Sequence, residues 1–530
     1  MIFGYPSHEK NTSAQMTGKL LVDSKTVINP SIVGGGVNFA FSDYVYIDLT
    51  TGSGFSRQIP YSSDPKEEEQ LWDEYFTLAD FMGMQYVRLQ VGYTQWDPIG
   101  GVESGVLDMD NRFVFSPHFK DRPEAALVPE NTYLYMDRMY RILDYFEKKG
   151  IYVSLGNWSG GTSAAGFCPN QRGWLMKETV PGRKGLNIAS VVDFADSFAG
   201  IMYHLIVEKG YTCVKGFSIF NEPEHFVNYA EELSEVYNTC AERLEMLGIR
   251  DRVVIQAVDG PVMWTMAKGD GTHNFQDLLD RCADSMDSVA IHHYQSTLES
   301  GEALPSRVAG TQGTITSRFM KDLVLPTLDM AGERPVFVAE LGTFSFCDNN
   351  TSSEGSSKHY GLPLFNAEAS CIMFNSGVKG YGLWDYNTVI HPYFTMLAID
   401  EEDPKRFVPD SMNYYPNALM MKYLPNGTDI VSSEIVGAEL DGKRRVFATI
   451  GVRGDETTVL LVNDSDESAE ITVSGVSTEK PYTYWYVEKD HTDQIYTEGS
   501  ARLDEEQEVY LRPRSITVLT TYSYGASKVF

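Results

Sequence analysis

Cysteine is scarce in this chain of 530 residues, which contains only six. None of the six stands in a C-x-x-C pair, and so few cysteines in so long a chain do not make a disulfide framework. A zinc site would need ligands clustered at short spacing, and the sequence has no such cluster. We therefore expect most of the cysteines to be buried thiols. We also expect neither a metal nor an organic cofactor.

Basic residues are few relative to acidic ones. The chain has 43 Lys and Arg against 73 Asp and Glu, which gives a formal net charge of −30. A surface this acidic repels phosphate backbones, so we do not expect nucleic acid as a partner. The charge favours solubility and suits a neutral or cationic substrate, although a generally acidic proteome would produce the same balance.

Long apolar runs are missing as well. No run of 18 apolar residues occurs, so we predict no transmembrane helix and no membrane partner. The first 20 residues lack the apolar segment of a secretory signal peptide. Localisation stays open between the cytoplasm and secretion with the signal peptide removed, and the sequence does not indicate an oligomeric state.

A strand-then-helix alternation begins near residue 31. Eight apolar segments are predicted as strands, each but the last followed by a helix: Ile32–Phe41, Met84–Val91, Ile151–Asn157, Val214–Glu222, Arg252–Val258, Ser288–Tyr294, Pro335–Leu341 and Gly380–Tyr386. This spacing favours parallel βαβ units, and eight of them close most simply as a (β/α)8 TIM barrel. The alternative is a doubly wound open sheet. That fold would need a glycine-rich phosphate loop after an early strand, whereas Gly34-Gly35-Gly36 lies within or before its strand.

Near residue 410 the pattern changes to short runs of alternating apolar and polar residues, separated by turns such as Asp441-Gly442. Such runs predict an antiparallel β-sandwich. We therefore divide the chain into an N-terminal extension (1–30), a catalytic barrel (31–410) and a C-terminal β-sandwich accessory domain (411–530). The strand-like piece Lys19–Asp23 is a candidate to pair with the sandwich.

Polar residues gather where the predicted barrel strands end. The chain is organised around Lys215–Pro223 (KGFSIFNEP), a buried apolar strand that stops abruptly at Asn221, Glu222 and Pro223. The carboxyl ends of barrel strands meet on one face, where this fold places its chemistry. The residues expected there are Arg88, Asn157, Trp158, Asn221, Glu222, His292, His293, Tyr294, Glu340 and Trp384. Core packing does not call for these polar groups, because a buried charge is costly unless it is paired or has a task.

This set resembles glycoside hydrolase clan A, the superfamily of retaining glycosidases with glutamates on strands four and seven. Asn221-Glu222-Pro223 ends the fourth predicted strand, and Glu340 ends the seventh. The arginine of strand two, the His-x-Tyr of strand six and the tryptophan of strand eight also look like family 5 members and their relatives. The resemblance covers roughly residues 31–400. Strand three departs from the family 5 pattern, because it ends in Gly-Asn-Trp where a histidine is common, so the exact family stays open.

The resemblance implies cleavage of β-glycosidic bonds by double displacement, with Glu340 as the nucleophile and Glu222 as the general acid and base. The two carboxyl groups should then lie about 5–5.5 Å apart. Arg88 would keep Glu340 ionised, and Tyr294 would donate a hydrogen bond to it. The charge of Glu340, together with partial burial, should raise the pKa of Glu222.

The resemblance also implies which residues contact the sugar. Asn221 is placed to bond the 2-hydroxyl, a contact that strengthens in the transition state. The apolar floor and the walls of the pocket would be formed by Trp384, Asn157, Trp158 and His292. Because successive strand residues point to opposite faces, His293 is expected in the core.

Three alternatives to a glycosidase fit the sequence less well. The strand-end glutamates could belong to structural ion pairs, but carboxylates seldom end buried strands without a role. A catalytically inactive barrel that binds glycans would not need both glutamates. An aldolase would need a strand-end lysine for a Schiff base, and no predicted barrel strand ends in one. Long segments at 92–130, 158–189 and 341–360 favour a walled pocket and hence exo action on an oligosaccharide or glycoside.

Overall fold

The computed structural model describes residues 16–39, 60, 62, 64–91, 131–157, 191–221, 229–260, 275–295, 324–343, 360–387, 394–410, 412–440, 442–476, 480–502 and 506–523. Within them, eight parallel strands form a closed barrel. These strands are β2 (Gly34–Phe39), β3 (Tyr86–Val91), β4 (Tyr152–Asn157), β5 (Val214–Ser218), β6 (Val254–Gly260), β7 (Ser288–Gln295), β8 (Val336–Thr343) and β9 (Gly380–Leu383). Each strand pairs with the next along the chain, and β2 pairs with β9 to close the ring. The predicted (β/α)8 barrel is confirmed.

Helices connect the strands of the barrel and support the second sheet. They are α1 (Pro65–Met82), α2 (Asn131–Lys149), α3 (Val191–Tyr203), α4 (Tyr229–Met246), α5 (Phe275–Arg281), α6 (Leu325–Ala331), α7 (Gly361–Ser376) and α8 (Tyr414–Lys422). A π-helical turn, His204–Glu208, continues α3, and a 3₁₀ turn, Arg250–Arg252, precedes β6. None of the helices in the described part of the chain is both long and apolar enough to cross a membrane.

Local sequence explains where α1 begins and ends. The Asp64 side chain accepts a hydrogen bond from the backbone N–H of Lys66, and Pro65 follows at the first helical position, where its missing N–H costs nothing. Gly83 ends the helix with φ of 64°, a conformation that glycine adopts without strain. The apolar face of α1 is buried against the barrel.

A second sheet of nine strands packs beside the barrel. Its strands are β1 (Met16–Ile32), β12 (Thr428–Gly437), β15 (Val446–Arg453), β16 (Glu456–Asn463), β17 (Ala469–Ser474), β18 (Tyr482–Glu488), β19 (His491–Ala501), β20 (Glu506–Leu511) and β21 (Ser515–Thr520). Their order is β19-β18-β21-β16-β15-β12-β1-β17-β20, and all neighbours are antiparallel except β1 and β17. The predicted combination of a barrel with a mostly antiparallel β-sandwich is confirmed. Two short hairpins complete the described strands: β10 (Leu397–Ile399) with β11 (Phe407–Pro409), and β13 (Glu439–Leu440) with β14 (Lys443–Arg444).

Several element boundaries differ from those expected from the sequence. β1 runs over Met16–Ile32, much longer than Lys19–Asp23, and it takes Ile32 into the second sheet. The first barrel strand begins only at Gly34, whose φ of 107° lets the chain turn from one sheet to the other. The last barrel strand ends at Leu383, three residues earlier than the apolar pattern indicated, although Trp384 N–H still donates to the Leu341 carbonyl and Tyr386 N–H to the Asn38 carbonyl.

The barrel and the second sheet share one apolar core. The ring of Tyr423 stacks on that of Trp485 with centroids 6.4 Å apart, and the Tyr360 hydroxyl donates to the carbonyl of Val487 at 3.0 Å. The side-chain amide of Asn29 donates to the carbonyls of Phe374 and Val378, at 2.9 and 2.8 Å. Since apolar packing and buried hydrogen bonds both cross the boundary, the two sheets form a continuous structure.

Neighbouring leucines on β1 provide a matched test of which face of this strand is buried in the second sheet. Leu20 is 0% exposed and lies opposite Ile435, whereas Leu21 is 43% exposed on the other face of the strand. We expect Leu20→Ala to lower the free energy of unfolding by about 2–5 kcal/mol, because it leaves a cavity in the sheet core. Leu21→Ala should change it by less than about 0.5 kcal/mol. Urea unfolding followed by circular dichroism measures both, and equal effects would contradict the assigned faces of β1.

Candidate active site

Strand register brings polar residues from distant parts of the chain to one region of the barrel interior. Asn38 on β2 is the Cα partner of Arg88 on β3, and His292 on β7 is the Cα partner of Glu340 on β8. Partners on neighbouring strands point to the same face of the sheet. The alternation of side chains along each strand therefore directs all four into the barrel.

Arg88 is the centre of this region. Its side chain is 0% exposed, and each terminal nitrogen has two partners. Nη1 donates to Glu340 Oε1 at 2.6 Å and to Asn38 Oδ1 at 3.1 Å. Nη2 donates to Asp259 Oδ2 at 2.5 Å and to Asn221 Oδ1 at 2.7 Å. One guanidinium thus joins side chains from four different strand regions, a geometry that its planar set of donors suits.

The charges in this cluster stabilise one another. Burial works to lower the pKa of Arg88, but the carboxylates of Asp259 and Glu340 outweigh it and hold that pKa above its usual value. Burial likewise works to raise the pKa of Asp259, yet Arg88 and His292 together hold it below its usual value. The cluster therefore keeps Arg88 as a cation and Asp259 as an anion in the barrel interior.

A missing side chain makes room for the guanidinium. A Cβ added at Gly156 on β4 would lie 2.9 Å from Arg88 Nε and 3.1 Å from its central carbon. Such contacts are closer than packed atoms tolerate, so Gly156 lets Arg88 lie against the backbone of the neighbouring strand.

Glu340 is 4% exposed and has partners on both carboxylate oxygens. Besides the contact of Oε1 with Arg88, Oε2 accepts a hydrogen bond from the Tyr294 hydroxyl at 2.7 Å. His292 Nδ1 lies 3.5 Å from the same oxygen. Hydrogen-bond donors therefore hold the carboxylate from two sides and fix its orientation.

The two asparagines differ in what they contact. Asn221 N–H donates to the Asn157 carbonyl at 2.9 Å, which ties the chain after β5 to the end of β4. The Asn157 side-chain amide donates to the Ile219 carbonyl at 2.9 Å. Asn157 therefore braces the backbone that carries Asn221, in addition to any part it takes in lining a pocket. Asn221 contacts Arg88 directly.

Trp384 is buried, and its backbone N–H donates to the Leu341 carbonyl at 3.1 Å, beside Glu340. His293, adjacent to His292, is half-buried. Two of the residues expected at the site, Trp158 and Glu222, lie outside the described residues. Among those that are described, no group of three or more His, Cys, Asp or Glu side chains is arranged to hold a metal ion.

Two central residues were missed by the sequence reasoning. Asp259 follows the apolar run of β6, has φ of 55°, and accepts from both Arg88 and His292, the latter at 3.0 Å. Asn38 on β2 accepts from Arg88 and donates to the Ala339 carbonyl at 2.8 Å. Both residues could have been found by the criterion that identified Asn221, namely a polar residue in or directly after a buried strand. The predicted strand stopped at Val258, one residue before Asp259.

Comparison with known proteins identifies solved structures of similar fold. No family model matches the chain, and no curated protein matches its sequence. A catalytic domain of a glycoside hydrolase family 30 xylanase from Talaromyces cellulolyticus aligns with a TM-score of 0.58 at 11% identity, covering 95% of this chain and 99% of that one. An endo-β1,6-glucanase aligns at 0.56 and 12%, covering 96% and 94%. A family 44 endoglucanase from Clostridium thermocellum aligns at 0.55 and 12%, covering 95% and 99%.

These neighbours are glycoside hydrolases, and the fold that the resemblance to clan A implied is confirmed. Their chains align with almost the whole length of this one, so the likeness includes the second sheet as well as the barrel. Members of glycoside hydrolase families 30 and 44 are among the structures of similar fold. At 10–13% identity the likeness concerns architecture.

Removing the guanidinium tests the charge balance of the cluster. We expect Arg88→Met to destabilise the protein by about 3–5 kcal/mol near neutral pH, because two carboxylates lose their buried partner. In the wild type the pKa of Asp259 is lowered, so its contribution is present above the unfolded pKa and is lost as pH falls through the folded one. In Arg88→Met, burial should instead raise that pKa, and stability should increase between about pH 7 and about pH 5.

The measurement is the melting temperature at both pH values. Arg281→Met is the matched control, because Arg281 pairs with Asp277 on an exposed helix surface at 3.1 Å, where an ion pair contributes about 0–1 kcal/mol. An Arg88→Met variant that melts like the wild type at both pH values would contradict the buried charge network.

Proposed function

We propose that this protein is a retaining β-glycosidase in which Glu340 is the nucleophile and Glu222 is the general acid and base. The observation that carries the proposal is the setting of Glu340, which is held by Arg88 and Tyr294 at the carboxyl-terminal half of the barrel strands. Asn221, which directly precedes Glu222 in the chain, joins the same cluster through Arg88. The architecture shared with glycoside hydrolases supports it.

In the first step of this mechanism, a Glu340 oxygen attacks the anomeric carbon. The bond to the leaving oxygen breaks, and that oxygen takes a proton from Glu222. A water deprotonated by Glu222 then displaces Glu340 from the sugar. Arg88 and Tyr294 favour this chemistry because they orient the nucleophile and stabilise the carboxylate when it departs.

The contacts of Asn221 suggest how the sugar is recognised. Its Oδ1 accepts from Arg88, which donates only, so the amide N–H₂ is left to face away from the guanidinium. Asn221 would then donate to the sugar 2-hydroxyl, a contact that strengthens in the transition state. Trp384 would provide the apolar floor for the same sugar, with Asn157, Trp158 and His292 along the walls.

An assay with external azide tests the nucleophile. Glu340→Ala should lower kcat on an aryl β-glycoside by at least about 10³-fold, since removal of a covalent nucleophile abolishes the main route. Azide should restore turnover by attacking the anomeric carbon and should give a glycosyl azide of inverted configuration. Glu333→Ala is the control, because Glu333 is exposed before β8, at the opposite end from Glu340. Undiminished activity in Glu340→Ala would overturn the assignment.

Glu222→Ala complements this variant. Its kcat should fall most on substrates with poor leaving groups, by about 10²–10⁴-fold. Azide should here give a product of retained configuration. Binding of glycans without turnover by the wild-type protein would instead favour a catalytically inactive barrel.

We further propose exo action, on the basis of the long segments 92–130, 158–189 and 341–360, which lie after β3, after β4 and at the end of β8. The neighbours described as an endo-β1,6-glucanase and an endoglucanase cleave within chains. Analysis of the reaction products therefore distinguishes exo from endo action. On defined oligosaccharides with a labelled reducing end, exo action should release one terminal unit at a time and shorten the labelled product stepwise. Early products of several intermediate lengths would contradict it. A panel of nitrophenyl glycosides, assayed in parallel, identifies the sugar.

A further inference from the structure

Asp259 is a buried carboxylate for which the two-glutamate mechanism provides no task. It is 0% exposed, and both of its oxygens are engaged. Oδ2 accepts from Arg88 at 2.5 Å, and Oδ1 accepts from His292 Nε2 at 3.0 Å. Both partners also face Glu340, with Arg88 Nη1 at 2.6 Å from Oε1 and His292 Nδ1 at 3.5 Å from Oε2.

We propose that Asp259 is a positioning residue that holds Arg88 and His292 against the nucleophile and remains the counter-ion of Arg88 when Glu340 forms its ester with the sugar. The inference rests on the proposed function, because it assigns Asp259 a part in that double displacement. Within the described residues, Asp259 reaches Glu340 only through these two side chains, so it acts by orienting them.

The charge balance of the reaction explains why a second carboxylate is useful. Before the first step, Arg88 lies between two anions, Asp259 and Glu340. When the bond from Glu340 to the anomeric carbon forms, the glutamate becomes a neutral ester. Arg88 would then be a buried cation without a charged partner if Asp259 were absent, which is costly. With Asp259 in place, the guanidinium keeps its position and can stabilise the carboxylate that re-forms in the second step.

The contact with His292 also determines which nitrogen of the imidazole carries the proton. An ionised carboxylate only accepts hydrogen bonds, so His292 Nε2 must carry a proton to bond Asp259 Oδ1. In Asp259→Asn the amide oxygen is required by Arg88, which only donates. The amide N–H₂ would then face His292 Nε2, and that nitrogen could accept only by giving up its proton. The substitution should therefore move the imidazole proton to Nδ1, on the side of Glu340.

Asparagine is the right replacement for backbone reasons as well. Asp259 has φ of 55°, in the left-handed region where Asn is tolerated about as well as Asp, whereas Ala would be strained. Asp287→Asn is the matched control. Asp287, like Asp259, pairs with an arginine: its two oxygens accept from Arg250 at 2.9 Å each. It lies just before β7, however, at the end of the barrel remote from Glu340.

The experiment compares the kinetics of the three proteins on the nitrophenyl β-glycoside that the wild type hydrolyses fastest. We expect Asp259→Asn to lower kcat by about 10–100-fold with KM changed less than about 3-fold, the loss typical of removing a residue that supports a reacting group. Asp287→Asn should keep the wild-type kcat, even if its melting temperature falls. A wild-type kcat in Asp259→Asn would overturn the inference.

A spectroscopic measurement keeps the inference falsifiable if Asp259→Asn folds poorly. In the wild-type protein, ¹⁵N NMR of the imidazole, assigned by the signal lost in His292→Gln, should show a proton on Nε2 at neutral pH. A bare Nε2 in the wild type would overturn the role of Asp259. The two failures are distinguishable: a wild type that hydrolyses no glycoside counts against the proposed function, whereas an active wild type with an equally active Asp259→Asn counts against Asp259.

Discussion

The contact between one buried guanidinium and two carboxylates is the constraint on which the site depends. Arg88 joins side chains from β2, β6, β8 and the segment after β5, so the position of each is coupled to the others. A charge in this environment is stable only if every neighbour is correctly placed. The barrel therefore has to close with the right register before the cluster can form, and the cluster in turn favours that register.

Around this cluster the barrel interior is also polar. Gln90 donates to Asn38 at 3.2 Å, and the hydroxyl of Ser154 donates to Gln256. Barrel interiors are more often filled by branched apolar side chains. A polar layer costs stability unless its hydrogen bonds are made, and it restricts which side chains can replace one another. Here the Gln90 contact helps to fix Asn38, whose side-chain oxygen also accepts from Arg88.

Periodicity and strand-end polarity were sufficient to predict the barrel, the second sheet and most of the residues that surround Glu340. They were sufficient because the alternation of strands and helices is visible in the sequence, and because the parallel strands of a barrel all end on one face. They failed at Asp259, which follows its apolar run by one residue, and at Asn38, which lies inside its strand. The bracing contact of Asn157 with the Ile219 carbonyl could not be predicted either, because a backbone acceptor leaves no pattern in the residue types.

The position of β1 has a consequence for how the protein is made. Leu20 is synthesised early, yet its partner Ile435 belongs to a strand that follows the whole barrel. At a ribosomal rate of about 5–20 residues per second, the two are separated by roughly 20–80 s of synthesis. Until then an apolar strand is without the neighbours it has in the native sheet, and the barrel folds with that tail attached. Chaperones that bind nascent apolar segments would have their longest opportunity at β1.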